Sequence, residues 1–81
     1  MRGSRDESLI AAFGQLVVEL RVARGMTQDV LATAAGLNRG FVGRVEAGTR
    51  QPTLSVITAL ALALDVAPGD LVREALARSA G

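Results

Sequence analysis

Apolar residues recur along this chain at steps of three and four and are interrupted at short intervals by glycine, a period that belongs to amphipathic helices and not to strands. Leu9, Phe13, Leu16, Val17 and Leu20 trace the first stripe. Ser4 and Glu7 stand at capping-box spacing, which predicts a first helix that begins after Ser4 and ends at Gly25. Thr27 is the expected N-cap of a short second helix, with Val30, Leu31 and Ala34 turned inward and Gly36 at its end. Asn38 is the expected N-cap of a third, whose apolar positions are Phe41, Val42 and Val45 and whose exit is Gly48. Ala47 to Pro52 reads as a loop from its Gly, Thr and Pro. Thr53 then caps a fourth helix through Val56, Ile57, Leu60 and Leu64, and Asp65 and Val66 lead out of it. Pro68 suits the first position of a fifth helix that carries Leu71, Val72, Ala75 and Leu76 to a frayed end near Ser79.

Five helical patterns and no alternating one predict an all-α fold, a compact five-helix domain over 1–81. Composition agrees with a helical core. Apolar residues make up 49% of the 81 residues, mostly Ala, Leu and Val, with Phe13 and Phe41 the two aromatics. A chain of this length has room for one core. No internal repeat or low-complexity segment is visible, and residues 1–4 carry no functional weight in this reading.

The second and third helices, Thr27 to Ala47, have what two short helices crossing at a steep angle need. Leu31 is an inward position and Ala32 the small residue at the crossing. Gly36 permits the turn, and Val42 and Val45 face inward from the second member of the pair. Any one of these features is weak. Together, at these spacings, they mark a helix-turn-helix.

The absence of cysteine and histidine removes disulfides, thiol nucleophiles, the usual zinc ligands and the commonest general base. No Gly-rich phosphate loop and no metal-spaced carboxylates are present either, so an enzyme is not expected, nor a cofactor or metal. The longest apolar stretch, Val56 to Leu64, is far short of the roughly 20 residues of a membrane span. Charged residues occupy the N-terminus where a signal peptide is apolar, so a cytoplasmic location and no membrane partner are expected. The net charge of +1 says little about nucleic acid, but its distribution says more. Arginines 21, 24, 39, 44 and 50 face only Asp29 and Glu46 between Arg21 and Arg50.

The segment GMTQDVLATAAGLNRGFVGRVEAGTRQPTL resembles the helix-turn-helix of the phage repressor and Cro (XRE) family of bacterial regulators. Ile57, Leu60, Ala61, Ala63, Leu64 and Val66 continue the likeness into the fourth helix. The short length, the GMTQ opening and the LNRGFVGRVEAGTRQPTL run are most similar to controller proteins of restriction-modification systems. The resemblance implies that Asn38, Arg39, Gly40 and Arg44 face base edges, the two arginines being able to hold guanine O6 and N7 bidentately. Gly40 departs from the long polar residue often found there, but lets the helix approach the groove closely. Phe41 has two readings, partial packing toward the core or its ring on a thymine methyl. Gln28, Thr49 and Arg50 match positions that meet phosphates, giving affinity with little sequence information. Arg21 and Glu46 match an ion pair that fixes the recognition helix to the first helix.

The implied partners are a double-stranded DNA operator and a second copy of the chain, since such proteins read two half-sites about 34 Å apart. The expected dimer surface is the C-terminal helix, about 68–79, with Leu64, Val66, Leu71, Val72, Ala75 and Leu76. Packing of these same residues into the monomer's core is the competing reading. The implied function is a homodimeric transcriptional regulator, most specifically the autoregulatory controller of a restriction-modification operon, with RNA polymerase as a further partner where it activates. Small-molecule control is not expected, since no ligand domain follows the motif. Other readings are a phage or plasmid repressor, a DNA-binding antitoxin, or a protein-interaction module on the same fold. The arginines and Gln28 on the recognition face argue against the last of these.

Overall fold

Four of the five helices begin on a side chain that accepts an amide proton the first turn leaves unpaired. The computed structural model describes residues 5–80, which form α1 (Glu7–Ala23), α2 (Gln28–Ala35), α3 (Arg39–Glu46), α4 (Leu54–Ala63) and α5 (Pro68–Ala80). Thr27 Oγ1 accepts from the Val30 amide at 3.1 Å, Asn38 Oδ1 from Phe41 at 2.8 Å and Thr53 Oγ1 from Val56 at 3.2 Å, as the sequence predicts. The cap of α1 is Asp6, whose Oδ1 accepts from the Leu9 amide at 3.0 Å. Ser4, the expected cap, lies outside the described residues. Pro68 opens α5 at the expected place.

The helices also end alike. After α2, Gly36 adopts a left-handed conformation and the Leu37 amide reaches back to the Ala32 carbonyl at 2.8 Å. After α4 the same geometry is built on Asp65, at φ 59°, with the Val66 amide donating to the Ala61 carbonyl at 2.9 Å. A residue with a β-carbon is strained there, less so for Asp than for most.

The core is one cluster to which every helix contributes. Phe13, Leu16 and Val17 of α1 meet Leu31 and Ala32 of α2, Val42 and Val45 of α3, Leu60 and Ala61 of α4, and Leu71 and Ala75 of α5. Two expectations fail here. Val30 and Ala34 are exposed, and the inward face of α2 is Leu31, Ala32 and the half-buried Ala35, one step further round the helix. More consequentially, Leu64, Leu71 and Ala75, expected at a dimer surface, are buried within the monomer. Helix α5 lies chiefly along α1 and also touches α4, and its apolar stripe closes the core between them. Val66 packs against the same core, Val72 is half-buried, and Leu76 alone of the six is substantially exposed. No single helix among the described residues is long and apolar enough to cross a membrane.

Candidate nucleic-acid interface

Helix α3 contains Gly40 and Gly43 within eight residues, and each glycine weakens an isolated helix by about 1 kcal/mol. Its shape therefore comes from what holds it. At its start is the Asn38 cap. At its end the Thr49 amide donates to the Arg44 carbonyl at 3.0 Å across Gly48, whose φ is +77°. From behind it is held by Val42 and Val45, both buried in the core. Across from it on α1 sits Gly14, where a β-carbon would lie 2.3 Å from the Val45 carbonyl oxygen and 2.8 Å from that of Glu46. The backbone of α3 thus rests directly on α1.

The expected Arg21–Glu46 pair is formed at this junction. Arg21 Nε donates to Glu46 Oε2 at 2.6 Å and Nη2 to Oε1 at 3.1 Å, a two-point contact that fixes the relative orientation of both planes. Arg21 Nη1 donates to the Met26 carbonyl at 2.9 Å, so the same guanidinium also holds the turn before α2. Gln28 completes the knot with a 2.8 Å bond from Nε2 to Glu46 Oε1. The side chains are 15% exposed for Arg21 and 4% for Glu46, and among the described residues no buried side-chain polar atom lacks a partner. Desolvation of the pair is offset by this full set of bonds.

On the opposite, outward face of α3 the residues expected to contact bases are Asn38, Arg39, Gly40 and Arg44, and all four are exposed. The Asn38 carbonyl oxygen is engaged as the cap, which leaves its Nδ2 protons as the free donors. Gly40 makes room for a neighbour: a β-carbon there would lie 3.4 Å from Arg44 Nη1. The Arg44 side chain therefore runs back along the helix over the glycine toward Arg39. Arg39 Nε lies 3.4 Å from Asp29 Oδ1 on α2.

The residues expected to meet phosphates are arranged less uniformly. Gln28 is half-buried and tied to Glu46 by one amide proton, leaving the other available. Thr49 donates its hydroxyl as well as its amide to the Arg44 carbonyl, so it reaches a phosphate only by exchanging that partner. Arg50 is exposed, and its guanidinium lies over the Phe41 ring, 5.1 Å from the centroid. Phe41 is half-buried, with its body on the core and one face beneath Arg50. A second feature of the surface is on α4, where Leu54 and Leu62 are 83% and 70% exposed and flank Ser55, Thr58 and Ala59.

The helix-turn-helix family profile matches residues 17–71, from the middle of α1 into α5. The chain belongs to the helix-turn-helix family. Among relatives of this member, the control protein C.BamHI of Bacillus amyloliquefaciens is 38% identical over 61 residues, which are 74% of this chain and 75% of that one. The restriction-modification controller protein C.AhdI from Aeromonas hydrophila is 47% identical with a TM-score of 0.74, covering 76% of this chain and 94% of that one. The fold is also that of the controller protein C.Esp1396I, solved as a tetramer on its natural 35 base-pair operator. That structure is 20% identical with a TM-score of 0.79, over 90% of this chain and 96% of the other. The helix-turn-helix pattern left four residues of this member without a role. Gly14 looks like any helix glycine until α3 is seen against it, Asp29 is legible only as a first-turn acid, and the exposure of Leu54 and Leu62 depends on where α5 lies.

Proposed function

We propose that this protein is a sequence-specific regulator of transcription that binds a two-fold operator as a homodimer in the cytoplasm, and that the operator belongs to a restriction-modification operon including its own gene. The observation that carries the reading is the outward face of α3. Arg39 and Arg44 stand exposed on either side of Gly40, on a helix whose back is locked to α1. Pre-set guanidiniums on a rigid helix are suited to guanine O6 and N7 in the major groove. Asn38 adds a donor, and Gly40 removes bulk between protein and base pairs. Phe41 sits at the edge of this surface, where its ring can meet a thymine methyl while supporting Arg50. Arg50, and Gln28 at the start of α2, supply phosphate contacts at the two margins, and Thr49 joins them by exchanging its partner. The likeness to C.AhdI, a restriction-modification controller protein by name, and to the control protein C.BamHI supports the operon assignment.

The partner copy is best accommodated on α4. Leu54 and Leu62 are large, apolar and uncovered, unlike the α5 residues that the core has taken. Pairing two such faces about a two-fold axis buries them, and reading two half-sites then requires the paired recognition helices to lie about 34 Å apart, in successive major grooves. Repression follows where the site overlaps a promoter, and activation where the dimer lies beside RNA polymerase.

The test is titration of the purified protein against duplexes from the DNA upstream of its gene, with excess random competitor at near-physiological salt. Competitor-resistant binding to a two-fold-symmetric site is expected. Binding no tighter than to random DNA, from folded protein, would overturn the proposal.

A further inference from the structure

Asp29 is the one carboxylate of the helix-turn-helix that remains exposed, because Glu46 is enclosed by Arg21 and Gln28. A bare carboxylate beside the surface proposed to meet DNA is repelled by phosphates and opposes binding. Its place explains its presence. Asp29 is the second residue of α2, and its Oδ1 lies 3.4 Å from Nε of Arg39, the first residue of α3. The contact spans the turn of the motif and joins the two helix starts that point outward. Because it is made on the Nε side, the Nη1 and Nη2 edge of the Arg39 guanidinium stays open, and that edge alone is enough for bidentate contact with guanine.

We propose that Asp29 is a specificity-determining residue that positions Arg39: it holds the guanidinium by its Nε side, keeps it from neighbouring phosphates and presents its free edge to a base. The inference rests on the proposed reading of DNA by α3. Without Asp29, a flexible arginine at this point swings to the nearest phosphate on any duplex, and random DNA gains more than the operator does. Exposed pairs of this kind contribute little to folding, so the effect belongs to discrimination and not to stability. A first-turn acid also favours a helix through its dipole. That role changes the melting temperature but leaves the ratio of operator to random affinity alone.

The experiment measures binding of wild type, Asp29→Asn, Arg39→Ala and the double variant to two duplexes, the operator recovered from upstream DNA and a scrambled sequence of equal length. For Asp29→Asn the expected result is about three- to tenfold tighter binding to scrambled DNA, little change on the operator, and so a specificity ratio reduced by about that factor. In the Arg39→Ala background the same substitution is expected to leave the ratio unchanged. A ratio unaltered by Asp29→Asn, in a wild type that does discriminate, overturns this inference and leaves the DNA-reading function standing. An equal change of ratio with and without Arg39 overturns it too, since Asp29 then acts as bulk charge. A wild type that binds both duplexes equally overturns the function and the inference together.

Discussion

Gly14 of α1 and the carbonyl of Val45 in α3 are in backbone contact, with no room for a methyl group between them. Alanine at Gly14 would gain about 1 kcal/mol of helix propensity, but a β-carbon 2.3 Å from a carbonyl oxygen forces the two helices apart. Overpacking of this kind costs about 1–3 kcal/mol, so the net effect is destabilising. Urea denaturation of Gly14→Ala is the check. Gly43→Ala is the control, because there a β-carbon meets only the Gln28 amide group at 3.8 and 3.9 Å, and a gain of up to about 1 kcal/mol is expected.

Glu46 receives three hydrogen bonds, two from Arg21 and one from Gln28. Arg21→Ala strands a nearly enclosed carboxylate and is expected to cost about 3–5 kcal/mol by chemical denaturation. Gln28→Ala leaves the ion pair intact and should cost about 1–2 kcal/mol. Equal losses for the two variants would show that the arginine does not hold the junction.

Arg44 and Arg50 differ in surroundings, the first over Gly40 and the second over Phe41. Arg44→Ala is expected to lose about 1–3 kcal/mol of discrimination at one base pair, measured against single-base operator variants. Arg50→Ala should weaken binding evenly across sequences and reduce the salt slope by about one. Phe41→Leu removes both the ring beneath Arg50 and the proposed thymine-methyl contact, so it should weaken binding to all duplexes and also reduce the preference for thymine at one position.

Leu62→Glu on the exposed face of α4 is expected to give a folded monomer, with unchanged helix content but dissociated by sedimentation equilibrium. Leu71→Glu, by contrast, places a charge in the monomer's core and should abolish folding. Persistence of the dimer in Leu62→Glu would move the interface elsewhere.

Arg78 near the end of α5 donates to Glu19 on α1 at 2.9 Å and to Glu74 at 3.1 Å. The hydrogen bond from Arg78 is the main cause holding the Glu19 carboxyl below its ordinary value of 4.5. A group whose pKa falls on folding stabilises above its unfolded value, and that stability is lost as pH drops through the folded one. Thermal melts should therefore show a stability loss beginning near pH 4.5 and extending below it, and Arg78→Gln should flatten that limb.

What the sequence made legible was local. Thr27, Asn38 and Thr53 mark helix starts because a cap and the amide it serves are three residues apart, Pro68 does so because its fixed φ suits a first helical position, and Gly36 and Gly48 mark ends through their left-handed conformation. The Arg21–Glu46 pair was legible through resemblance, though not its third member. What failed depended on distant partners. Leu64, Leu71 and Ala75 form an apolar stripe that is equally suited to a second copy or to the monomer's own core. Only the lie of α5 along α1 decides between them. Val30 misled because a helix of two turns has too few apolar positions to fix its inward face to within one residue.

Helix α3 is a poor helix by composition and a firm one by context, since Gly14, Arg21 and the buried valines set its place before any duplex arrives. The surface proposed to read DNA is thus a template cut on one side of the molecule and braced from the other. Its accuracy is distributed over residues that never touch a base. On the proposed function, variation on the concealed side of α1 is therefore a route by which the presentation of α3 can be retuned while every side chain on its outward face stays the same.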